Sequence, residues 1–454
     1  MNKKLLVLIK ICDGDTNPFD ESSLEVALSL PGYEVHTLTM GPLSNKARLE
    51  DITRLGVTPH LISDTALAGS DSLITAKVLS TFIRQLQPDL VFAGIKSIDG
   101  DTGQVPIMIS EMIGYALVSS IVSFASNKVI TREGVTHEFR DKMLCTFGRI
   151  KTLRFPRMMS KKQEVEIINV TQLKINKECV GIKASPTRVI RTYENNTGKR
   201  KCKFITADEL YGLLTSGKEA KEVWKKYSGE KTALIHYVGD IKSIADEFAS
   251  KSMEIKYIAN VGAFIKSIPE DAKIILFENN SACKELAARV AARKQYGLTA
   301  DCTGFSFAGN LFVMTRPAYG GNVIANIVSS SPIVLASVSK HKKTSGIIFC
   351  VGRGAITYLE QIRHLAAKYN AEIVSTRPVV DGGYISYPNQ VGLTGKSVAP
   401  RIYVAFGVSG QIQHMICTLK SDIIVAINSS KEAPIFEYAD YGILSDIKEI
   451  IKEI

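Results

Sequence analysis

The chain has 454 residues, 45% hydrophobic and 22% charged, which supplies a large buried core and excludes a disordered chain. Its formal charge of +11 is spread over short clusters at 161–162, 199–201, 225–226 and 341–343. No basic stripe carries interleaved aromatics, so no nucleic-acid partner is expected, and the charge favours acidic or phosphate-bearing partners instead.

The eight cysteines include no C-x-x-C pair and read as reduced thiols. The opening "MNKKLLVLIKICDGD" mimics a signal peptide, but Lys10 interrupts its apolar run and Asp13 and Asp15 follow. It reads as a first buried strand. No apolar run reaches membrane length, so a cytoplasmic protein without membrane insertion is expected.

In chain order, "LLVLIKI" predicts a strand, and "NPFDESSLEVALSL" a helix with Asn17 as its cap and Pro18 at its first position. "YEVHTLTMG" predicts a strand, "DSLITAKVLSTFIRQL" a helix, and "PDLVFAG" a buried strand leading into the loop "IKSIDGDTGQV". This alternation implies a parallel sheet covered on both faces. Residues 128–180 suggest hairpins instead. The stretch 206–230, with the only tryptophan, Trp224, reads as a charged helical connector. The alternation restarts at "TALIHYVGD" and again at "GIIFCVGRG". The expected fold is α/β, with three Rossmann-like, nucleotide-binding parallel-sheet domains, the last of them the candidate ligand domain.

That last region holds "QVGLTGKSVAPRIYVAFGVSGQIQHM". Its Gly395-Lys396-Ser397 resembles the end of a triphosphate loop. The first glycine of such a loop should stand at 390, which is Gln390, and Gly392 comes two positions late. Pro400 also falls where the helix should run. An ATPase reading is therefore excluded. The second turn keeps its interest, because Gly407 ends a strand and a helical pattern begins at Ser409 and Gly410. Free amides there suit an anion. His414 follows one turn later, and spacing alone leaves it either a packed histidine or a ligand contact. Asp99 and Asp101 lack a third ligand nearby, so no metal is expected.

The stretch "STRPVVDGGYISYPNQVGLTGKSVAPRIYVAFGVSGQIQHM", with "VAINSSKEAPIFEYADYGILSDI", resembles the flavin domain of the electron transfer flavoprotein α subunit. "DAKIILFENNSACKELAARVAARKQYGLTADC" and "TRPAYGGNV" resemble that subunit's first domain. "NPFDE", "LTMGP", "LISDTALAGSDSLITAKVL", "AGIKSIDGDTGQV" and "VGIKASPTRVIRTY" resemble the β subunit. The resemblance implies the two subunits fused, β part first. It divides the chain into a β-like nucleotide-binding domain (1–205), a helical connector (206–230), an α-like first domain (231–340), a hinge (341–347) and an FAD-binding domain (348–454).

By the same resemblance, FAD would meet Arg353, Thr376, Arg377, Val391, Gly392, Leu393, Thr394, Ser409, Gly410, Gln411, Ile412, Gln413, His414, Asn428, Asp446 and Ile447. Arg377 would carry the charge beside the ring. His414 would donate to its pyrimidine edge, and Thr394 would face its N5 and O4 side. Ser409 with the amides after it would face the phosphate or ribityl chain, Arg353 a phosphate, and Asn428 and Asp446 the adenosine. Leu393 stands where the family commonly has glutamine.

A second nucleotide, AMP or another FAD, would meet Leu8, Asn17, Pro18, Phe19, Asp20, Met40, Gly94, Ser97, Gly100, Asp101, Thr102, Gly103, Gln104 and Val105. A hairpin usual in the family before "NPFDE" is absent. The basic "LRFPRMMSKKQ" resembles the family's partner-recognition loop, in a shorter form. The implied function is an electron carrier between flavin dehydrogenases, such as acyl-CoA dehydrogenase, and a quinone-linked or other redox acceptor. An NADH-oxidising, electron-bifurcating flavoprotein with two FAD is the alternative. A flavin-free regulatory module is the third reading.

Overall fold

Long runs of buried β-branched and aromatic residues organise the chain around parallel sheets. Leu90–Gly94, Met143–Phe147 and Pro400–Phe406 are buried at every position, as strands covered on both faces must be. The computed structural model describes residues 3–194, 199–216, 232–308, 311–319, 323–338, 344–392, 395–396, 398–415, 417–419 and 421–454. The chain divides into two compact units: Met1–Thr192, Lys226–Pro317 and Ala325–Lys340 form one, and Tyr193–Lys225, Ala318–Ile324 and His341–Ile454 the other.

The first unit contains a nine-stranded sheet in the order Glu166–Ile168, Thr58–Ile62, Tyr33–Met40, Lys3–Leu8, Leu90–Gly94, Met143–Phe147, Ala116–Ala125, Lys128–Thr131 and Thr136–Glu138. The first seven run parallel and the last two fold back as an antiparallel meander. The expected hairpins over 128–180 are thus confined to 128–138. Met143–Phe147 returns to the sheet interior because all five of its side chains are buried. Strand order reverses at Lys3–Leu8, which has Tyr33–Met40 on one side and Leu90–Gly94 on the other. That switch point opens a crevice at the carboxyl ends, where α/β sheets bind ligands.

A second, five-stranded parallel sheet in the same unit runs Ala249–Glu254, Thr232–Val238, Ile274–Glu278, Val334–Val338 and Leu298–Cys302. Helix Ser281–Lys294 covers it, with the Asn280 side chain accepting from the Cys283 amide at 2.8 Å. One core joins both sheets of this unit, with helices Gln104–Ile113 and Ser281–Lys294 packed into it. Glu111, on the first helix, pairs with Arg289 at 2.7 Å and with Arg293 on the second.

The second unit is a six-stranded parallel sheet in the order Lys203–Phe204, Tyr441–Leu444, Ile423–Asn428, Pro400–Phe406, Thr344–Val351 and Glu372–Ser375. Its switch point is Thr344–Val351, between Glu372–Ser375 and Pro400–Phe406. The expected boundary at 205 and the connector from 206 need correction here. Lys203–Phe204 is an edge strand of this sheet, and helix Ala207–Thr215 buries Leu210 and Leu214 in the same core as Ile447 and Ile450. The helix begins with a capping box between Thr206 and Glu209. The rest of the expected connector, Trp224 included, and residues 341–343 of the expected hinge lie outside the described residues, while 344–347 begin the strand Thr344–Val351.

Candidate functional site

The strongest site candidate sits at the carboxyl edge of the second unit, where three loops leave neighbouring strands. Thr344–Val351 runs into Gly352, and Pro400–Phe406 into Gly407. The Gly352 amide donates to the Phe406 carbonyl at 2.8 Å, the Gly354 amide to the Gly407 carbonyl at 3.3 Å, and the Gly407 amide to the Ile427 carbonyl at 3.0 Å. A Cβ at Gly352 would lie 2.2 Å from the Gly407 carbonyl oxygen, and one at Gly410, where φ is +89°, would lie 2.1 Å from the Ile435 nitrogen. Glycine is required at both positions because backbone rests on backbone.

The third loop hangs from the end of Glu372–Ser375. The Val391 amide donates to the Ser375 carbonyl at 2.9 Å, and the Lys396 amide to the Gln390 carbonyl at 2.8 Å. Gly392 takes φ +141° in this turn. Leu393 and Thr394, expected beside a ring, lie outside the described residues. Lys396 pairs with Glu372, in keeping with the failure of the triphosphate-loop spacing.

Thr376 is buried at the start of helix Arg377–Asp381, and Arg377 is half-exposed and pairs with Asp381 one turn on at 3.1 Å. Arg353, Ser409, Gln411 and Gln413 are exposed along the same edge. The helix expected after Ser409 is a single turn, Ile412–Met415, and too short to build a large dipole. Asn428 is engaged with its own loops: its amide donates to the Val408 carbonyl at 3.0 Å, and its oxygen accepts from the Ser430 amide at 3.0 Å. Asp446 caps the last helix by accepting from the Lys448 amide at 2.8 Å, and Ile447 points into the core. Asn428 and Asp446 therefore shape the site's wall.

His414 is packed between two of these loops. It is 8% exposed, with Nδ1 3.0 Å from the Val391 carbonyl and Nε2 2.7 Å from the Tyr403 hydroxyl. Burial lowers its pKa to about 4, so the ring is neutral and both nitrogens are engaged within the protein. The two glycine turns of the sequence motif do meet, and His414 is the joint.

This edge suits a long anionic ligand such as FAD. It offers two exposed guanidiniums, from Arg353 and Arg377, and the Ser409 hydroxyl. The buried Ser375 hydroxyl has no partner among the described residues. Sequence reasoning missed Ser375, Tyr403 and Cys350. The signal for Tyr403 was a hydroxyl in an otherwise buried run, which demands a partner.

A second crevice lies at the switch point of the first unit. The fully buried Asp20 carboxylate accepts from the Lys10 amide at 2.8 Å and the Gly94 amide at 2.9 Å. Burial raises its pKa to about 7 despite those bonds. Asn17 does not cap its helix; its side-chain amide donates to the Lys96 carbonyl at 2.9 Å. Asp99 pairs with Lys10 and Asp101 with Lys96, each at 2.6 Å. These four residues stitch the crevice together.

Pro18 and Phe19 start the helix beside Gly94, where a Cβ would lie 2.6 Å from the Phe19 Cβ. Leu8 and Met40 end neighbouring strands, and Ser97, Gly100, Thr102, Gly103 and Val105 lie along the loop into helix Gln104–Ile113. Gln104 is 4% exposed, and neither of its amide atoms has a partner among the described residues. Arg316, unforeseen in the sequence, is buried, donates to the Gly100 carbonyl at 2.7 Å, and leaves Nε without a partner among those residues. The described residues hold no metal-binding cluster of three or more His, Cys, Asp or Glu.

Comparison with known proteins agrees with this geometry. Residues 343–418 match the electron transfer flavoprotein FAD-binding domain, and residues 6–151 and 206–343 match the electron transfer flavoprotein domain. The chain is 31% identical to the electron transfer flavoprotein subunit alpha of Thermoanaerobacterium thermosaccharolyticum, over 47% of this chain and 82% of that protein. It is 31% identical to the lactate dehydrogenase (NAD(+),ferredoxin) subunit LctC of Acetobacterium woodii, over 49% of this chain and 64% of that one. It is 29% identical to the acryloyl-CoA reductase electron transfer subunit beta of Anaerotignum propionicum, over 54% and 84%. With two matches to the family's common domain, and its FAD-binding domain on the sheet that carries the glycine crevice, this chain belongs to the electron transfer flavoprotein family.

Proposed function

We propose that this protein is a β and an α part of an electron transfer flavoprotein joined in one chain, carrying electrons in the cytoplasm between flavin dehydrogenases and a quinone-linked or other redox acceptor. The observation that carries the proposal is the repeat of the family domain at 6–151 and 206–343 ahead of a single FAD-binding domain. No described helix is long and apolar enough to cross a membrane.

FAD, when bound, supplies one- and two-electron redox chemistry. The chain's part is to hold and tune it. Arg353, Ser409 and the amides after Ser409 would receive the diphosphate. Arg377 would leave Asp381, a half-exposed pair of small worth, to place its fixed charge beside the ring. Gln411 and Gln413 would supply neutral contacts. The neutral His414 would act from behind the 390–396 turn.

Protein partners are supported by the segment around 154–162. Phe155, Met158 and Met159 are 95%, 93% and 89% exposed beside Arg157 and Lys161. Apolar side chains held in water among cations suit docking on an acidic protein surface.

A bifurcating reading, with FAD rather than AMP at the front crevice, is favoured by one feature. Gln104, at the end of the loop that Arg316 holds through the Gly100 carbonyl, has both amide atoms unpartnered among the described residues, and Arg316 keeps its Nε unpartnered among them. Releasing the cofactors from purified protein and counting them separates the readings. One FAD with one AMP per chain supports the carrier, and two FAD with rapid bleaching by NADH support bifurcation. Absence of FAD would defeat both.

A further inference from the structure

Two histidines outside both crevices form one row across the edge of the nine-stranded sheet. His36 on Tyr33–Met40 and His60 on the neighbouring Thr58–Ile62 are both buried, and Nδ1 of the first lies 3.0 Å from Nε2 of the second. His60 Nδ1 faces the carboxylate of Glu166, its direct opposite on the edge strand Glu166–Ile168. His36 Nε2 lies 3.1 Å from a Glu34 oxygen, outside hydrogen-bond geometry. Lys4 stands opposite Glu34 on the next strand inward, and Phe82, on helix Ser72–Leu86, packs against the His60 ring.

The ends of the row fix its protons. A carboxylate only accepts, so His60 Nδ1–H donates to Glu166. A neutral His60 then offers a lone pair at Nε2, and His36 Nδ1–H donates to it. That leaves a neutral His36 with a bare Nε2 beside a Glu34 oxygen, acceptor against acceptor, in keeping with the missing hydrogen bond. The row can therefore load one proton, at His36 Nε2. Burial lowers the His36 pKa, with His60 and Lys4 acting the same way and Glu34 opposing them. The row stays uncharged at neutral pH and loads in acid.

We propose that His36 and His60 form an acid-operated latch on the 154–168 segment: one proton taken at His36 Nε2 breaks the row and frees the edge strand that ends the segment. The loaded ring is a buried cation, and it gains by moving toward the half-exposed Glu34 and water. That movement withdraws Nδ1–H from His60, whose bare Nε2 is then stranded in the core. Turning outward with Glu166 relieves it. The edge strand has three residues and pairs on one side, so loss of this tie weighs heavily. Because the folded pKa of His36 is the lower one, the tie is fully present above pH 6.5 and is lost as pH falls through the folded value.

What the latch would govern rests on 154–162 being a docking surface. The latch itself does not, and its test needs neither partner nor flavin. Hydrogen exchange of the full-length protein, corrected for the intrinsic pH dependence of exchange, follows the edge strand. Between about pH 7.5 and pH 5, protection over 164–168 is expected to fall about tenfold or more in wild type, while Leu90–Gly94 holds. His36→Asn keeps an N–H donor toward His60 but cannot take the proton, so its protection there is expected to change less than about twofold.

No loss in wild type, or an equal loss in the variant, would overturn the latch. Nitrogen-15 NMR of the wild-type imidazoles decides the same point without a variant. His60 is expected to be protonated at Nδ1 at neutral pH, and the pair to take up one proton in acid, at His36 Nε2. Uptake of none or of two over that range overturns the latch. A flavin dehydrogenase that still docks unchanged once the edge strand is free would count against the docking surface and not against the latch.

Discussion

Single buried polar atoms decide what both crevices can do. Asp20 and His414 are each almost wholly enclosed, and each is shifted toward its neutral form by burial. Their effects on stability have opposite signs. Asp20 is raised above its ordinary carboxylate value, so its contribution is fully present below pH 3.8 and is lost as pH rises through about 7. His414 is lowered, so its contribution is fully present above 6.5 and is lost as pH falls toward about 4. Asp20→Asn exchanges one acceptor oxygen for an amide that faces a backbone N–H. It should cost about 1–3 kcal/mol at pH 5, and less at pH 8. Urea unfolding at the two pH values checks this, and a penalty that grows with pH would contradict the assignment. Asp20 was legible as a crevice residue from "NPFDE". Its clamping role was not, because the Gly94 amide it holds lies 74 residues away.

Elements were legible where their signals are local. Pro18 at a helix start, the Thr206–Glu209 capping box and the fully apolar strands follow from backbone sterics and burial period. The fate of 203–215 was not legible, since its charge pattern suits a free helix as well as a docked one. Arg200 decides it. Its guanidinium donates to the carbonyls of Leu419, Ser421 and Asp422 at 2.9, 2.7 and 3.2 Å and pairs with Asp440. Those bonds hold Lys203–Phe204 at the edge of the flavin-unit sheet. Arg200→Ala should destabilise that unit by about 2–4 kcal/mol, because three carbonyls lose a donor and Asp440 its counter-ion. Hydrogen exchange over 203–215 should accelerate more than over 344–351, and equal acceleration would show that the arginine is no local staple.

At the scale of the molecule, each unit is assembled from three separated segments, and the second carries the FAD match. FAD at 100 times its dissociation constant should stabilise the unit that binds it by about 2.7 kcal/mol. Differential scanning calorimetry of stripped protein with added FAD should therefore show a raised transition. A scan unchanged by FAD would mean that the crevice is not its site. By itself the sequence determined the parallel sheets, the turns at their carboxyl ends and the family, since strand period, glycine turns and ordered motifs are properties of neighbouring residues. Only the tertiary structure decided which polar atoms remain for a ligand. The partners that use up His414, Asp101 and Asn428 are held in place by packing and long-range strand pairing, and hydrogen-bond reach is a matter of distance in space.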